Sequence, residues 1–204
     1  MNTKKNKKNF SSFTANAALQ ALQINELIRW TIDLKPYQAS AFLAERLHRL
    51  ENFDLTGSER AKELLIDALC EEVIERHPNL KIWKAAPLQT DELTGQVDYL
   101  IAPRKAYLST PLLCVVEAKK DDFEKGLAQC LVEMKACAWN NEQTGKAIEV
   151  YGIVTNGEVW KFYKFTTKGE VFASLPYALS DSNEILAVLE YIFTQCDKNF
   201  SAFI

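Results

Sequence analysis

Three short runs rich in Val, Ile and Leu, QVDYLIAP, LLCVVEAK and EVYGIVT, constrain this chain more than any other feature. Runs of this length and composition read as strands. Residues 121–139 separate the second run from the third and carry Leu127, Leu131, Met134 and Ala138 along one side, which predicts a long helix. A helix placed between two strands acts as a crossover, so LLCVVEAK and EVYGIVT are expected as parallel neighbours. The loop between QVDYLIAP and LLCVVEAK lets those two pair antiparallel. The class that results is α/β: a mixed sheet flanked by helices.

The flanking segments extend this plan. KIWKAAPL reads as a strand before the three runs, and VWKFYKF and KGEVFASL as strands after them, the last at an edge. Asn156-Gly157 predicts a two-residue type I′ turn into VWKFYKF. Residues 181–194 predict a closing helix. Ser58 can cap a helix over 59–77 that Pro78 ends. Leu65, Ile66, Leu69, Cys70 and Val73 form its buried stripe, with Asp67, Glu71 and Glu75 outside it. Upstream, the spacing predicts a helix over 15–34, stopped by Pro36, and another over 37–52. The start, MNTKKNKKNF, reads as a basic disordered arm, either a solubilising tail or a contact for nucleic acid. The expected division is therefore an arm plus helical extension over 1–57 and an α/β domain over 58–204.

Composition excludes some function classes. No apolar run approaches the roughly 20 residues of a membrane helix, and the basic start has no apolar stretch behind it as a signal peptide would. Cys70, Cys114, Cys130, Cys137 and Cys196 are odd in number, lack a CxxC pair and fall in strand or helix patterns. They read as small buried apolar residues of a reducing, cytoplasmic compartment. His48 and His77 are the only histidines and lack ligand spacing, so a structural zinc is not expected. The net charge of −3 does not advertise nucleic-acid binding, although local patches matter more than the sum.

Three residues carry chemistry. Asp98 interrupts an apolar strand, where aspartate is disfavoured. Glu117 and Lys119 are two apart in the next strand and so share a face. An acid beside a lysine at a strand end is also what a solvated ion pair looks like. The position of Asp98 inside its run, and its spacing to Glu117 on a neighbouring strand, favour a site. Two carboxylates can bind a hard ion such as Mg²⁺ through oxygen, with the Ala118 carbonyl as a further ligand. Such an ion lowers the pKa of its bound water and stabilises charge on a phosphoryl group. A lysine beside it can hold the water or neutralise the phosphate.

Taken in order, Ser58-Glu59, Val97-Asp98-Tyr99, Glu117-Ala118-Lys119, Gln129 and Thr155-Asn156-Gly157 with Trp160 and Tyr163 resemble the PD-(D/E)XK nuclease superfamily. The likeness covers residues 58–165 and is closer to the N-terminal nuclease domain of type I restriction enzyme R subunits and their stand-alone relatives. It implies a restriction-endonuclease-like fold and Mg²⁺- or Mn²⁺-dependent hydrolysis of nucleic acid, DNA above all. Asp98, Glu117, Ala118 and Glu59 would be the metal ligands, Lys119 the catalytic lysine, and Gln129 an assistant that orients Lys119 or a phosphate. Glu63 and Glu72 are alternatives to Glu59, which as the first helical residue also suits the helix dipole. Val97 stands in place of the proline in the motif's name, and Glu133 in place of the tyrosine that some relatives carry four residues after the glutamine. A homodimer is expected on geometric grounds, since cutting both strands takes two sites; a motor, if one is used, is expected on a separate polypeptide.

Lys81, Lys84, Arg104, Lys105, Lys120 and Lys125 would form a nucleic-acid groove only if they cluster on the face of the site. Trp160, Phe162 and Tyr163, interleaved with Lys161 and Lys164, read as core with a wet lysine face, or alternatively as a base-stacking ribbon. The rival reading of the whole chain is a catalytically silent module of the same fold that serves binding or assembly with a partner protein. Distance and pairing separate the two: a working site brings Asp98, Glu117 and Lys119 together, whereas a scaffold splays them or neutralises them internally.

Overall fold

The computed structural model describes residues 6–55 and 57–203. Its elements in chain order are β1 (Lys8–Asn9), α1 (Ala15–Ala21), β2 (Leu27–Arg29), α2 (Ala41–Leu50), α3 (Glu59–Ile74), β3 (Leu80–Gln89), β4 (Leu93–Pro103), β5 (Cys114–Ala118), α4 (Phe123–Gln143), β6 (Val150–Thr155), β7 (Val159–Phe165), β8 (Val171–Ala173), β9 (Tyr177–Ala178) and α5 (Ser182–Ser201). Among the described residues they form one nine-stranded mixed sheet in the order β1-β4-β5-β6-β7-β8-β2, with β3 also on β4 and β9 also on β7. The class is α/β, a mixed sheet flanked by helices. As the crossover requires, β5 and β6 are parallel, and β4 and β5 are antiparallel.

Each face of the sheet buries its own core. Leu65, Ile66, Leu69 and Val73 of α3 and Ile185, Leu189 and Ile192 of α5 pack on one face with Tyr99, Val116 and Ile153. On the other, Cys130, Leu131 and Met134 of α4 pack with Leu100, Val115 and Val154. α4 lies flat on the sheet because Gly152 of β6 offers no side chain: a Cβ there would stand 2.5 Å from Cys130 Sγ and 2.6 Å from Met134 Sδ. All five cysteines are free and buried. No helix among the described residues is long and apolar enough to cross a membrane.

Several local expectations give way. The helix expected over 15–34 stops at Ala21, Gln23 takes a left-handed φ of 56°, and Leu27–Arg29 instead pairs parallel with β8. KGEVFASL is thereby covered on its outer side rather than left as an edge. The helix expected over 37–52 narrows to Ala41–Leu50, capped by Ser40. Of the expected disordered arm, residues 1–5 lie outside the described residues. Lys8–Asn9 pairs parallel with Leu93 and Thr94 of β4, and Phe10 is buried against Gly95. The β6–β7 hairpin is present, but its turn is not type I′, which needs positive φ at both central residues. Only Gly157 has it (+84°), while Asn156 Oδ1 accepts hydrogen bonds from the backbone N–H groups of Glu158 (3.1 Å) and Val159 (2.8 Å). The asparagine side chain thus organises the turn together with its own backbone N–H, which donates to the Val159 carbonyl at 3.3 Å.

Candidate active site

β4 is the longest strand, and β3 occupies one of its edges along most of its length. The other edge is shared: β1 pairs with Leu93 and Thr94, and β5 pairs from Tyr99 to Ile101. Between these partners the sheet forks. Asp98 sits at the fork, one step past the last β4–β5 pair, Tyr99↔Val116, and Glu117 is the residue opposite. Residues directly opposite on paired strands share a face. Here that face is the one covered by α4, where Leu100 and Val115 are also packed. Asp98 Oδ2 accepts the Ala118 N–H at 2.8 Å, so a side chain replaces the missing ladder partner. Behind Asp98, the β3–β4 ladder skips its opposite residue Ala85, which has φ +50°, a strained conformation for a residue with a Cβ.

Lys119 emerges on the same side as Glu117, as strand alternation dictates. Its Nζ pairs with Glu117 Oε1 and also donates to the Ala118 carbonyl at 3.2 Å. α4 roofs the cluster. Asp122 caps it by accepting the Lys125 N–H at 2.9 Å. Gly126 lets the first turn descend: a Cβ there would meet Val154 Cγ1 at 2.6 Å and Lys119 Cγ at 3.1 Å. One and two turns further on, Gln129 and Glu133 are buried, and Gln129 Nε2 donates to Glu133 Oε1 at 3.0 Å. Glu117 and Glu133 are both 0% exposed, and the Oε2 atom of each is buried without a hydrogen-bond partner among the described residues.

The electrostatics follow from three acids against one lysine. Burial pushes Glu117 up to about 8, the Asp98 charge adds to this, and Lys119 only partly opposes it. Burial, and then the Glu117 charge, raise Glu133 well above the usual carboxylate range. Asp98 is raised by burial against the pull of the Ala118 N–H and Lys119, with Glu63 and Glu59 adding to the rise. Burial pulls Lys119 down, but Glu117, Asp98 and Glu59 outweigh it and the net shift is upward. A carboxyl whose folded pKa lies above its unfolded value holds its proton longer in the native state, and its stabilising effect is lost as pH rises between the two values. The metal-free protein is therefore expected to lose stability from about pH 4.5 to about pH 8. Thermal melts in chelator across that range check this, and Glu117→Gln should flatten the profile.

The structure brings Asp98, Glu117, Ala118 and Lys119 together. Glu59 opens α3 and is exposed, yet its charge acts on Asp98, Glu117 and Lys119. Glu63 is paired with Lys84 at 2.9 Å. Glu72 is committed elsewhere: it accepts the N–H and hydroxyl of Ser40 at 2.8 and 2.7 Å at the start of α2. Gln129 orients Glu133 rather than Lys119. The expected basic groove is thinner than its lysine count. Arg104 and Lys105 follow the far end of β4, where Arg104 Nε donates to the Pro78 carbonyl, and Lys81 pairs with Ala102 near that same end. Lys84 is taken up by Glu63 and Asp67. Lys120 and Lys125 remain exposed beside the site, where Lys62, a residue absent from the sequence reading, donates to the Lys120 carbonyl at 3.2 Å. Trp160, Phe162 and Tyr163 are core.

Glu133 is the functional candidate that the motif comparison passed over as a mere departure. Its signal was an acid between Val132 and Met134 in the largely apolar helical run LVEMKACA. The donor set suits a hard divalent cation: it is all-oxygen, sets three acids against one lysine and carries two carboxyl oxygens without a partner among the described residues, and a cation would favour the ionised form that burial disfavours. Among the described residues no three His, Cys, Asp or Glu side chains stand arranged to hold a metal ion, and Lys119 is bonded to Glu117 and to the Ala118 carbonyl. No family model matches the chain, and no curated protein matches it, so the site is read from its own residues and geometry.

Proposed function

We propose that this protein is a divalent-metal-dependent phosphodiesterase acting on nucleic acid, with DNA as the substrate, through a PD-(D/E)XK-type site. The observation that carries the reading is the opposed pair Asp98 and Glu117 at the fork of the sheet, with Lys119 on the same face and Glu117 Oε2 orphaned. The order α3, β3, β4, β5, α4, β6, β7 supports a restriction-endonuclease-like core as part of the same proposal. Asp98, Glu117 and the Ala118 carbonyl would hold Mg²⁺ or Mn²⁺, with Glu59 at the solvent side. The ion supplies an activated water and charge stabilisation on the phosphoryl oxygens. The protein's own groups do the rest. Lys119 exchanges its bond to Glu117 for the attacking water or a phosphate oxygen. The Ala118 N–H fixes Asp98, and α4 closes one side against bulk water. Lys120 and Lys125 meet the backbone of the nucleic acid. A second copy of the chain for the other strand belongs to the same proposal.

One observation favours the rival, a silent module of the same fold acting in assembly: the Lys119–Glu117 pair neutralises the site internally. Metal binding decides between them. Calorimetry with Mn²⁺ or Mg²⁺, with DNA present, should show binding to the wild type in the micromolar-to-millimolar range. Asp98→Asn should weaken it by at least about 10-fold, since a carboxylate ligand is lost. No binding by the wild type at millimolar metal would leave the module reading standing.

A further inference from the structure

Resting on that reading of the site, we propose that Glu133 is a third carboxylate of the cation site, supplied by α4 and positioned by Gln129. Glu133 is 0% exposed, and Gln129 Nε2 holds one of its oxygens at 3.0 Å. The other, Oε2, has no partner among the described residues. The charge acting on it most strongly is that of Glu117, and Asp98 acts on it as well. The one lysine of the cluster is engaged with Glu117 and the Ala118 carbonyl, so its charge acts on Glu133 only from a distance, and Glu133 has no ion-pair partner among the described residues.

A buried acid in this situation is costly even when protonated, because one of its oxygens stays without a hydrogen-bond partner, and a purely structural position would be served at lower cost by Met. The arrangement is explained if the empty oxygen is meant for a cation. The helix geometry agrees. Gly126 seats α4 against Lys119 and Val154, and Glu133 lies two turns further along the same face. The site would then take one acid from β4, one from β5 and one from the roof helix, three side chains that are not arranged around an ion in the metal-free protein and must turn toward it on binding. Three carboxylates around one ion favour a hard divalent cation over a monovalent one. Gln129 acts through Glu133, as a positioning residue. Release of Lys119 from Glu117 frees the oxygens that the third carboxylate joins.

The test is Mn²⁺ titration by calorimetry of the full chain as wild type, Asp98→Asn, Glu133→Gln, Glu133→Asp and Gln129→Ala, with the Mn²⁺-induced rise in melting temperature recorded for each. Glu133→Gln keeps the shape and removes the charge. It should weaken Mn²⁺ at least about 10-fold and shrink the Mn²⁺-induced stabilisation, with circular dichroism unchanged. Glu133→Asp should bind better than Glu133→Gln and worse than wild type. Gln129→Ala should weaken binding less than Glu133→Gln. If Glu133→Gln does not fold, Glu133→Asp decides: weaker binding supports the role and unchanged binding overturns it. Wild-type affinity in Glu133→Gln alongside its loss in Asp98→Asn would overturn the role of Glu133 and leave the nuclease reading intact. Absence of Mn²⁺ binding in the wild type would overturn both.

Discussion

Lys119→Met is expected to lower DNA cleavage by about 10³-fold, because the group that holds the water or the phosphate is gone. It should also destabilise the metal-free protein by about 3 kcal/mol, the usual cost of leaving one member of a buried ion pair alone. Glu117 is fully buried, and Lys119 is its only ion-pair partner among the described residues. Glu117 can take up a proton, since burial already holds its pKa near 8, so the loss should be smaller below that pH than above it. Adding Glu117→Gln to Lys119→Met should return most of the stability and none of the activity. Urea denaturation in chelator and a nicking assay on supercoiled DNA read the two effects separately. Wild-type cleavage by Lys119→Met would remove the lysine from the mechanism.

Trp160→Ala is expected to be the costliest single change outside the site, at about 4 kcal/mol. For a chain of this length that corresponds to a fall of roughly 10 °C in melting temperature. Trp160 is fully buried, stacks on Phe162 with ring centroids 6.3 Å apart and donates its indole N–H to the Gly157 carbonyl at 3.0 Å. Its removal opens a cavity beneath the β6–β7 turn and strands that carbonyl. DNA affinity of the folded fraction should be unchanged. A base-stacking ribbon would give the opposite result, weak DNA binding with little loss of stability, and the melt and a binding titration tell the two apart.

What the sequence could reveal tracks how local the responsible physics is. The Asp98–Glu117 pairing was legible because strand alternation and a short connection fix which side chains face one another. The parallel β5–β6 neighbours followed from the crossover helix. Leu27–Arg29 was misread as helix because its partner, β8, lies more than a hundred residues away in the chain, and apolar periodicity carries no information about such a partner. Arg104 and Lys105 were close to Asp98 in sequence, but an extended strand advances about 3.3 Å per residue and carries them to the far end of the sheet. Glu59, Glu63 and Glu72 were equivalent as acids on one helix. Only the packing of α2 shows that Glu72 belongs to Ser40, and only the placement of β3 shows that Glu63 belongs to Lys84. Glu133 was passed over because the motif comparison looked for a tyrosine at that position, and only the packing shows α4 buried on nearly every side with this acid inside it.

The most direct test of the central claim is cleavage of double- and single-stranded DNA by the wild type and by Asp98→Asn, each with Mg²⁺, with Mn²⁺ and with chelator. The account predicts cleavage by the wild type with metal, none with chelator, and a loss of about 10³-fold or more in Asp98→Asn at unchanged melting temperature. Equal activity of the wild type and Asp98→Asn, or activity that survives chelation, would contradict it.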